Sequence, residues 1–158
     1  AGQPPQAMIL MKLDLLSKEP CYSGYFRANR YTMAHSLHGG GMSQPVVREI
    51  FEKPDGVVIV PHDAARNAIV MVEQFRPSVY ARHGLDADCW LMEFPAGMVD
   101  GEEALEATAE RELLEETGLK ATRFQPLFSY FPSPGACSEQ IHLCLASVDS
   151  LSASVNPM

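Results

Sequence analysis

The 158-residue sequence predicts an α+β fold, with one substantial helix embraced by many short strands. Three observations carry this. Ala104 to Thr117 contains no Gly or Pro and is rich in Ala, Leu and Glu, all good helix formers. Stretches with strand-like apolar and aromatic patterning lie on both sides of it. They do not alternate with further helical stretches, so a repeated βαβ unit is not what the chain spells.

In order along the chain, Ala1–Gln6 has the look of an unstructured tail, and residues 1–20 are assigned to an N-terminal tail. Ala7 to Leu16 is apolar but interrupted by Lys12 and Asp14. It is too short to span a bilayer and lacks a basic leader with a cleavage site. Tyr22 to Leu37 alternates aromatic and polar residues, ends at Gly39-Gly40-Gly41, and is followed by Val46 to Glu52, which predicts a β-hairpin turning at the glycines. Residues 21–55 therefore form an N-terminal β region, and residues 56–158 the main domain. Within the latter, Gly56–Val60 reads as a buried strand, Pro61–Asn67 as a turn and Ala68–Phe75 as a strand. Residues 82–87 read as loop and Cys89–Phe94 as a short strand. Beyond the helix, Phe124–Phe131 and Gln140–Val148 read as strands joined by a loop over Pro132–Ser138. Leu151 to Met158 carries no pattern.

The helix carries the chemistry. Asp100 stands three residues before Glu103, as in a capping box, and Gly118 is a natural stop. At roughly 100° per residue, Leu105, Ala109, Glu112 and Glu116 share one stripe, with Glu115 beside it. The stripe begins apolar, as a core-facing stripe should, and then turns acidic. Seven glutamates and one arginine lie between Glu102 and Glu116. Glu102, Glu106 and Glu110 are ordinary solvated surface. Glu112 and Glu116 instead continue the core-facing stripe. Like charges four residues apart cost a few tenths of a kcal/mol, and unpaired buried carboxylates cost far more. A hard divalent cation removes both costs, and oxygen ligands suit Mg²⁺, with Mn²⁺ able to substitute.

The formal net charge is -8, and Lys and Arg occur only singly or in scattered pairs. A nucleic-acid-binding surface is therefore not expected, although an anionic small molecule can bind where metal and a few arginines converge. The four cysteines (Cys21, Cys89, Cys137, Cys144) include no C-x-x-C and suggest neither zinc nor a disulfide framework. They read as reduced thiols in a cytoplasm.

Gly97-Met-Val-Asp-Gly-Glu-Glu103, followed by Arg111-Glu-Leu-Leu-Glu-Glu-Thr-Gly-Leu119, spells Gly, five residues, Glu, seven residues, then Arg-Glu-apolar-x-Glu-Glu-x-Gly-apolar. This resembles the Nudix box with every defining position filled. The resemblance implies a Nudix fold, mixed β-sheets packed around a catalytic helix as an α/β/α sandwich, and metal-dependent hydrolysis of a nucleoside diphosphate linked to another group. Five further stretches resemble the ADP-ribose pyrophosphatase group: Tyr22-Ser-Gly-Tyr-Phe26, Val47-Arg-Glu-Ile-Phe-Glu52, Val72-Glu-Gln-Phe-Arg76, Trp90-Leu-Met-Glu-Phe-Pro-Ala-Gly-Met98 and Ser133-Pro-Gly-Ala-Cys-Ser-Glu139. Together they span most of Tyr22 to Ala146.

That likeness implies roles. The Ala96 carbonyl, Glu112 and Glu116 would hold metal, and Glu115 would bridge a second ion. Arg48 and Arg76 match arginines that contact substrate. Tyr25 and Phe26, which alone would be simple half-buried strand residues, match aromatics that pack against adenine. Met98, Ser133, Gly135 and Glu139 match positions lining the terminal ribose and phosphate. Arg111 would orient the box glutamates, and Glu103 would anchor the loop. The N-terminal region of relatives crosses to a second subunit, which implies a homodimer. Hydrolysis of ADP-ribose would give AMP and ribose 5-phosphate. A nucleotide sugar such as GDP-mannose is the rival substrate, and a non-catalytic ADP-ribose-sensing module the rival class. In the resembled group the general base is a glutamate in an acidic loop beyond the last matched strand. After Glu139 the sole acidic residue here is Asp149. The expectation is a C-terminally incomplete domain, with Glu115 and Glu139 as the catalytic carboxylates the chain itself offers.

Overall fold

In the computed structural model, residues 11–85 and 88–154 are described. The expected tail Ala1–Gln6 and the last residues, 155–158, lie outside them, as do 86 and 87 of the expected loop. The described chain divides into two compact units, one comprising residues up to Lys53 with Ser133–Ser138, the other Pro54–Pro132 with the residues from Glu139 onward.

The first unit is a three-stranded antiparallel sheet. Strand β1 (Leu13–Ser23) pairs with β2 (Arg27–His35), which pairs with β3 (Val46–Glu52). The β2–β3 hairpin turns where three consecutive glycines predict it. Gly40 and Gly41 take φ of 90° and 78° there, a region closed to most side chains. The tail assignment for residues 1–20 is corrected, because β1 already begins at Leu13. The misreading has a physical cause: β1 lies so open that Leu13, Leu15 and Leu16 are each more than half exposed, so no buried alternation marks it in the sequence. Glu52 accepts from Tyr31 Oη and pairs with Lys18 at 2.8 Å. The Lys18 ammonium, with Tyr31 as the second donor, holds the Glu52 carboxyl down to about 2. The loop over Ser133–Ser138, distant in sequence, runs along β3. Phe51 N–H donates to the Ala136 carbonyl at 2.7 Å, and Ser138 N–H returns to the Phe51 carbonyl at 3.0 Å.

The second unit is built on a five-stranded mixed sheet. Strand β4 (Gly56–Asp63) runs parallel to β10 (Ile141–Ser147), which is antiparallel to β9 (Arg123–Tyr130). The other edge of β4 takes β5 (Ala68–Ile69) and β8 (Ala96–Met98) at its two ends. The expected strand 68–75 is two strands: β5, and β6 (Val72–Phe75), which forms a separate ribbon with β7 (Trp90–Glu93). Helix α1 (Pro77–His83) was not foreseen. It starts on a proline, which tolerates a first-turn position, and buries none of its residues, so it leaves no apolar periodicity to read.

Helix α2 (Leu105–Thr117) matches the predicted span, and Gly118 ends it in the left-handed conformation with its N–H on the Leu114 carbonyl. Two details are corrected. The cap residue is Ala104, so the Asp100–Glu103 pair stands ahead of the helix start, where Glu103 N–H donates to the Asp100 carbonyl at 3.0 Å. The stripe does not begin at Leu105, which is 43% exposed in the first turn. The buried stripe is Thr108, Ala109, Leu113 and Thr117. It meets Val57 and Ile59 of β4 and Cys144 and Ala146 of β10, with Leu119 closing the core.

At the far end of β4, Asp63 is almost wholly buried. It accepts from Arg66 Nη1 at 2.6 Å, from Ser150 Oγ at 2.7 Å, and from the Ser150 and Arg66 backbone N–H groups. These donors, Ser150 first, hold its carboxyl well below the usual carboxylate range. Asp63→Asn is expected to lower the melting temperature by roughly 5 °C, since charge-assisted bonds are stronger than neutral ones. Because the folded-state carboxyl is the more acidic one, its contribution is present above the ordinary value of 3.8 and fades as pH falls below it. Thermal melts from pH 7 to 3 should show a shallower acid loss in the variant.

Candidate active site

Helix α2 and strand β8 bring the box residues together at the Gly56 end of β4. Gly97 lies in β8, opposite Val57. A Cβ added to Gly97 would fall 1.9 Å from both Cδ and Oε1 of Glu112. The absence of a side chain at Gly97 thus lets the Glu112 carboxyl lie directly on the strand backbone. One helical turn on, Glu116 accepts from Gln74 Nε2 at 2.6 Å and from the Ala96 backbone N–H at 3.1 Å. Burial pushes the Glu116 carboxyl up, the two donors pull it back down, and the neighbouring Glu112 charge adds to the push. Ala96, whose carbonyl was the expected donor to a metal, meets Glu116 through its N–H.

Arg111 spans three of the box carboxylates. Its Nη1 lies 2.6 Å from Glu112 Oε1 and 3.4 Å from Glu115 Oε2, and its Nη2 lies 3.2 Å from Glu103 Oε2. Glu103 also accepts from Thr108 Oγ1 at 2.9 Å, which ties the loop to the helix. Glu115 is 59% exposed, on a more open part of the helix than Glu112 at 14%. Met98 is partly exposed and faces Gly56 in the β8–β4 register. Glu139 belongs to this neighbourhood: a Cβ at Gly56 would sit 3.8 Å from Glu139 Oε1 and 3.6 Å from the Gly97 carbonyl. Arg76 follows β6, and Glu93 of β7 holds its guanidinium in a fork, Nε at 3.0 Å and Nη2 at 2.6 Å from Oε2.

The remaining candidates lie in the first unit. Tyr25 is 83% exposed and packs edge-on against Phe26, with ring centroids 4.8 Å apart. Phe26 in turn touches Phe51 at 5.0 Å. Arg48 is exposed on β3 and donates to its neighbour's carbonyl, Val47 O, at 2.7 Å. The Ser133 carbonyl accepts from Ala136 and Cys137 N–H, closing a turn that contains Gly135. Gln74 and Glu93 were missed in the sequence. The period of two along β6 places Gln74 with Val72 on the half-buried side, which is the one signal that marks it.

The donor chemistry fits a hard divalent cation. Glu112 and Glu116 are oxygen donors one turn apart, and burial, with the neighbouring Glu112 charge adding to it, pushes the Glu116 carboxyl up. Among the described residues, no three His, Cys, Asp or Glu side chains are grouped so as to hold a metal ion by themselves, so a cation here would draw on backbone and solvent oxygens as well.

A fold of this kind, with a carboxylate-bearing helix seated on a mixed sheet behind a glycine-containing loop, defines a class that the comparisons identify. The NUDIX domain family model matches residues 52–156, and the chain belongs to the Nudix family. It is 37% identical over 142 residues to the ADP-ribose pyrophosphatase of Escherichia coli (strain K12), covering 90% of this chain and 66% of that protein. It is 33% identical to the ADP-ribose pyrophosphatase of Haemophilus influenzae, covering 89% and 65%. It is 29% identical to the GDP-mannose pyrophosphatase of Yersinia pestis, covering 86% and 67%. The chain thus spans just under two thirds of the length of the ADP-ribose pyrophosphatases it matches. A crystal structure described as an ADP compounds hydrolase shares the fold, with a TM-score of 0.64 at 21% identity over 86% of this chain and 67% of that one.

Proposed function

We propose that this protein hydrolyses the diphosphate bond of ADP-ribose, giving AMP and ribose 5-phosphate, with Mg²⁺ or Mn²⁺ held by Glu112 and Glu116. The observation that carries the reading is the Glu112 carboxyl seated on the Gly97 backbone, one turn from the half-buried Glu116. A bound divalent cation would offset charge developing on the diphosphate and lower the pKa of an attacking water. The protein's own contribution is placement. Arg111 restrains Glu112, Glu93 presents the Arg76 guanidinium as a planar donor suited to phosphate, and Glu139 and Glu115 are the carboxylates available to accept a proton. The likeness to two ADP-ribose pyrophosphatases supports ADP-ribose, and the likeness to a GDP-mannose pyrophosphatase supports GDP-mannose as the second substrate to test. The deciding experiment is a panel of ADP-ribose, GDP-mannose, NADH and diadenosine compounds with Mg²⁺ and with EDTA. ADP-ribose should give the highest kcat/KM, and EDTA should abolish turnover. Preference for GDP-mannose would replace the substrate, and binding without turnover would favour the sensing role.

We further propose a cytoplasmic homodimer formed through the first unit. That unit exposes Leu13, Leu15, Leu16, Tyr22 and Val47 on its sheet and Tyr25 in the turn between β1 and β2, an apolar load that a monomer seldom leaves in water. The four cysteines are free thiols, and no helix among the described residues is long and apolar enough to cross a membrane. Light scattering at micromolar concentration should give twice the chain mass, and Phe26→Ala should raise KM for the adenine substrate more than it lowers kcat. A fully active monomer would refute the dimer.

A further inference from the structure

We infer that Gln74 is a positioning residue for Glu116: from strand β6 its side-chain amide fixes the plane in which the Glu116 carboxylate meets a cation. The inference rests on the proposed role of Glu112 and Glu116 as cation ligands. Both Glu116 oxygens are engaged by different elements. Oε1 accepts from Gln74 Nε2 at 2.6 Å, and Oε2 accepts from Ala96 N–H at 3.1 Å. A glutamate on a helix has three rotatable side-chain bonds, and holding one oxygen leaves the carboxylate free to pivot. Holding both from two strands sets its plane. Each oxygen keeps a second lone pair for a cation.

The residue type and its anchoring fit this role. Gln74 is half-buried and pairs with Leu91 in the β6–β7 ribbon, so its backbone is set by strand pairing. A neutral amide donates without placing positive charge where a cation must sit. The guanidinium contacts fall on other carboxylates, Arg111 on Glu103, Glu112 and Glu115 and Arg76 on Glu93, from where Arg76 acts on Glu116 only through space. Groups that orient metal ligands typically change metal affinity 10–100-fold when removed. A purely structural Gln74, present only to satisfy a half-buried carboxylate, would affect folding and leave metal affinity alone.

The test is Mn²⁺ binding to the metal-free protein, followed by the electron paramagnetic resonance of free Mn²⁺, for wild type, Gln74→Met, Gln74→Asn and Glu116→Gln. Methionine keeps the length and lacks the donor, and asparagine keeps the donor one carbon short. Wild type should bind, and Glu116→Gln should lose most of the affinity. Gln74→Met should weaken it about 10–100-fold, with KM for substrate at saturating Mn²⁺ unchanged. If Gln74→Met does not fold, Gln74→Asn decides, with weakening expected in the same direction. Unchanged or tighter Mn²⁺ binding in the folded Gln74 variant, alongside loss in Glu116→Gln, would overturn the positioning role and leave the cation site standing. Absence of Mn²⁺ binding to wild type would remove the cation site and this inference with it.

Discussion

Glu112→Gln is expected to lower kcat by about 10²–10³, the range seen when one preorganised electrostatic group is removed from a transition state. Glutamine keeps the size and helix propensity of glutamate, so the loss should appear in turnover with the fold intact. The variant gives up the 2.6 Å contact with Arg111 as an ion pair. That guanidinium retains Glu103 and Glu115 as partners, which limits the structural cost. A second measurement separates metal binding from other roles. A ligand bound only by the folded state at 100 times its Kd adds about 2.7 kcal/mol of stability. Mg²⁺ should therefore raise the melting temperature of the wild type and do so much less in the variant. Near-normal turnover in Glu112→Gln would sink the metal assignment.

Gly97→Ala should cost nearly as much activity for far less chemical change. The new methyl would overlap the Glu112 carboxyl, at 1.9 Å from Cδ and Oε1. That group ends a flexible side chain, so it can swing away without dismantling the strand. Stability should move by no more than about 1–3 kcal/mol, the usual cost of overpacking. Displacing a reacting group by about 1 Å can cost roughly 100-fold, and kcat should fall by that order. A Gly97→Ala enzyme of wild-type activity would mean that Glu112 does not act from the position it occupies here.

The helix and its glycine stop were legible because composition, length and a terminal left-handed residue all agree over Ala104–Gly118. The β2–β3 hairpin was legible because three glycines interrupt two strand-like runs. What was not legible follows from burial. Helix α1 hides no residue, and β1 shows apolar side chains to solvent along its length, so neither has the contrast between faces on which pattern reading depends. Leu105 shows the reverse error: it has the right angular position for the stripe, yet it sits in the first turn, beyond the core. At the site, charge made Glu112, Glu116 and Arg111 visible. Gln74 carries none, and Glu93 stands in an apolar run, so their partnerships with Glu116 and Arg76 emerge only in three dimensions.

The loop Ser133–Ser138 belongs with the N-terminal sheet, although the strands on either side of it in sequence, β9 and β10, belong to the other unit. A boundary drawn through the linear chain therefore cannot separate the two bodies, and cutting at Lys53 would strip that loop of its backbone partners on Phe51. The same arrangement sorts the proposed contacts. Tyr25, Phe26, Arg48, Ser133 and Gly135 ride on one body, and Ala96, Met98, Glu112, Glu115, Glu116, Glu139 and Arg76 on the other. Under the proposed roles, substitutions in the first set would alter nucleotide recognition and leave the carboxylates of the candidate metal site unchanged.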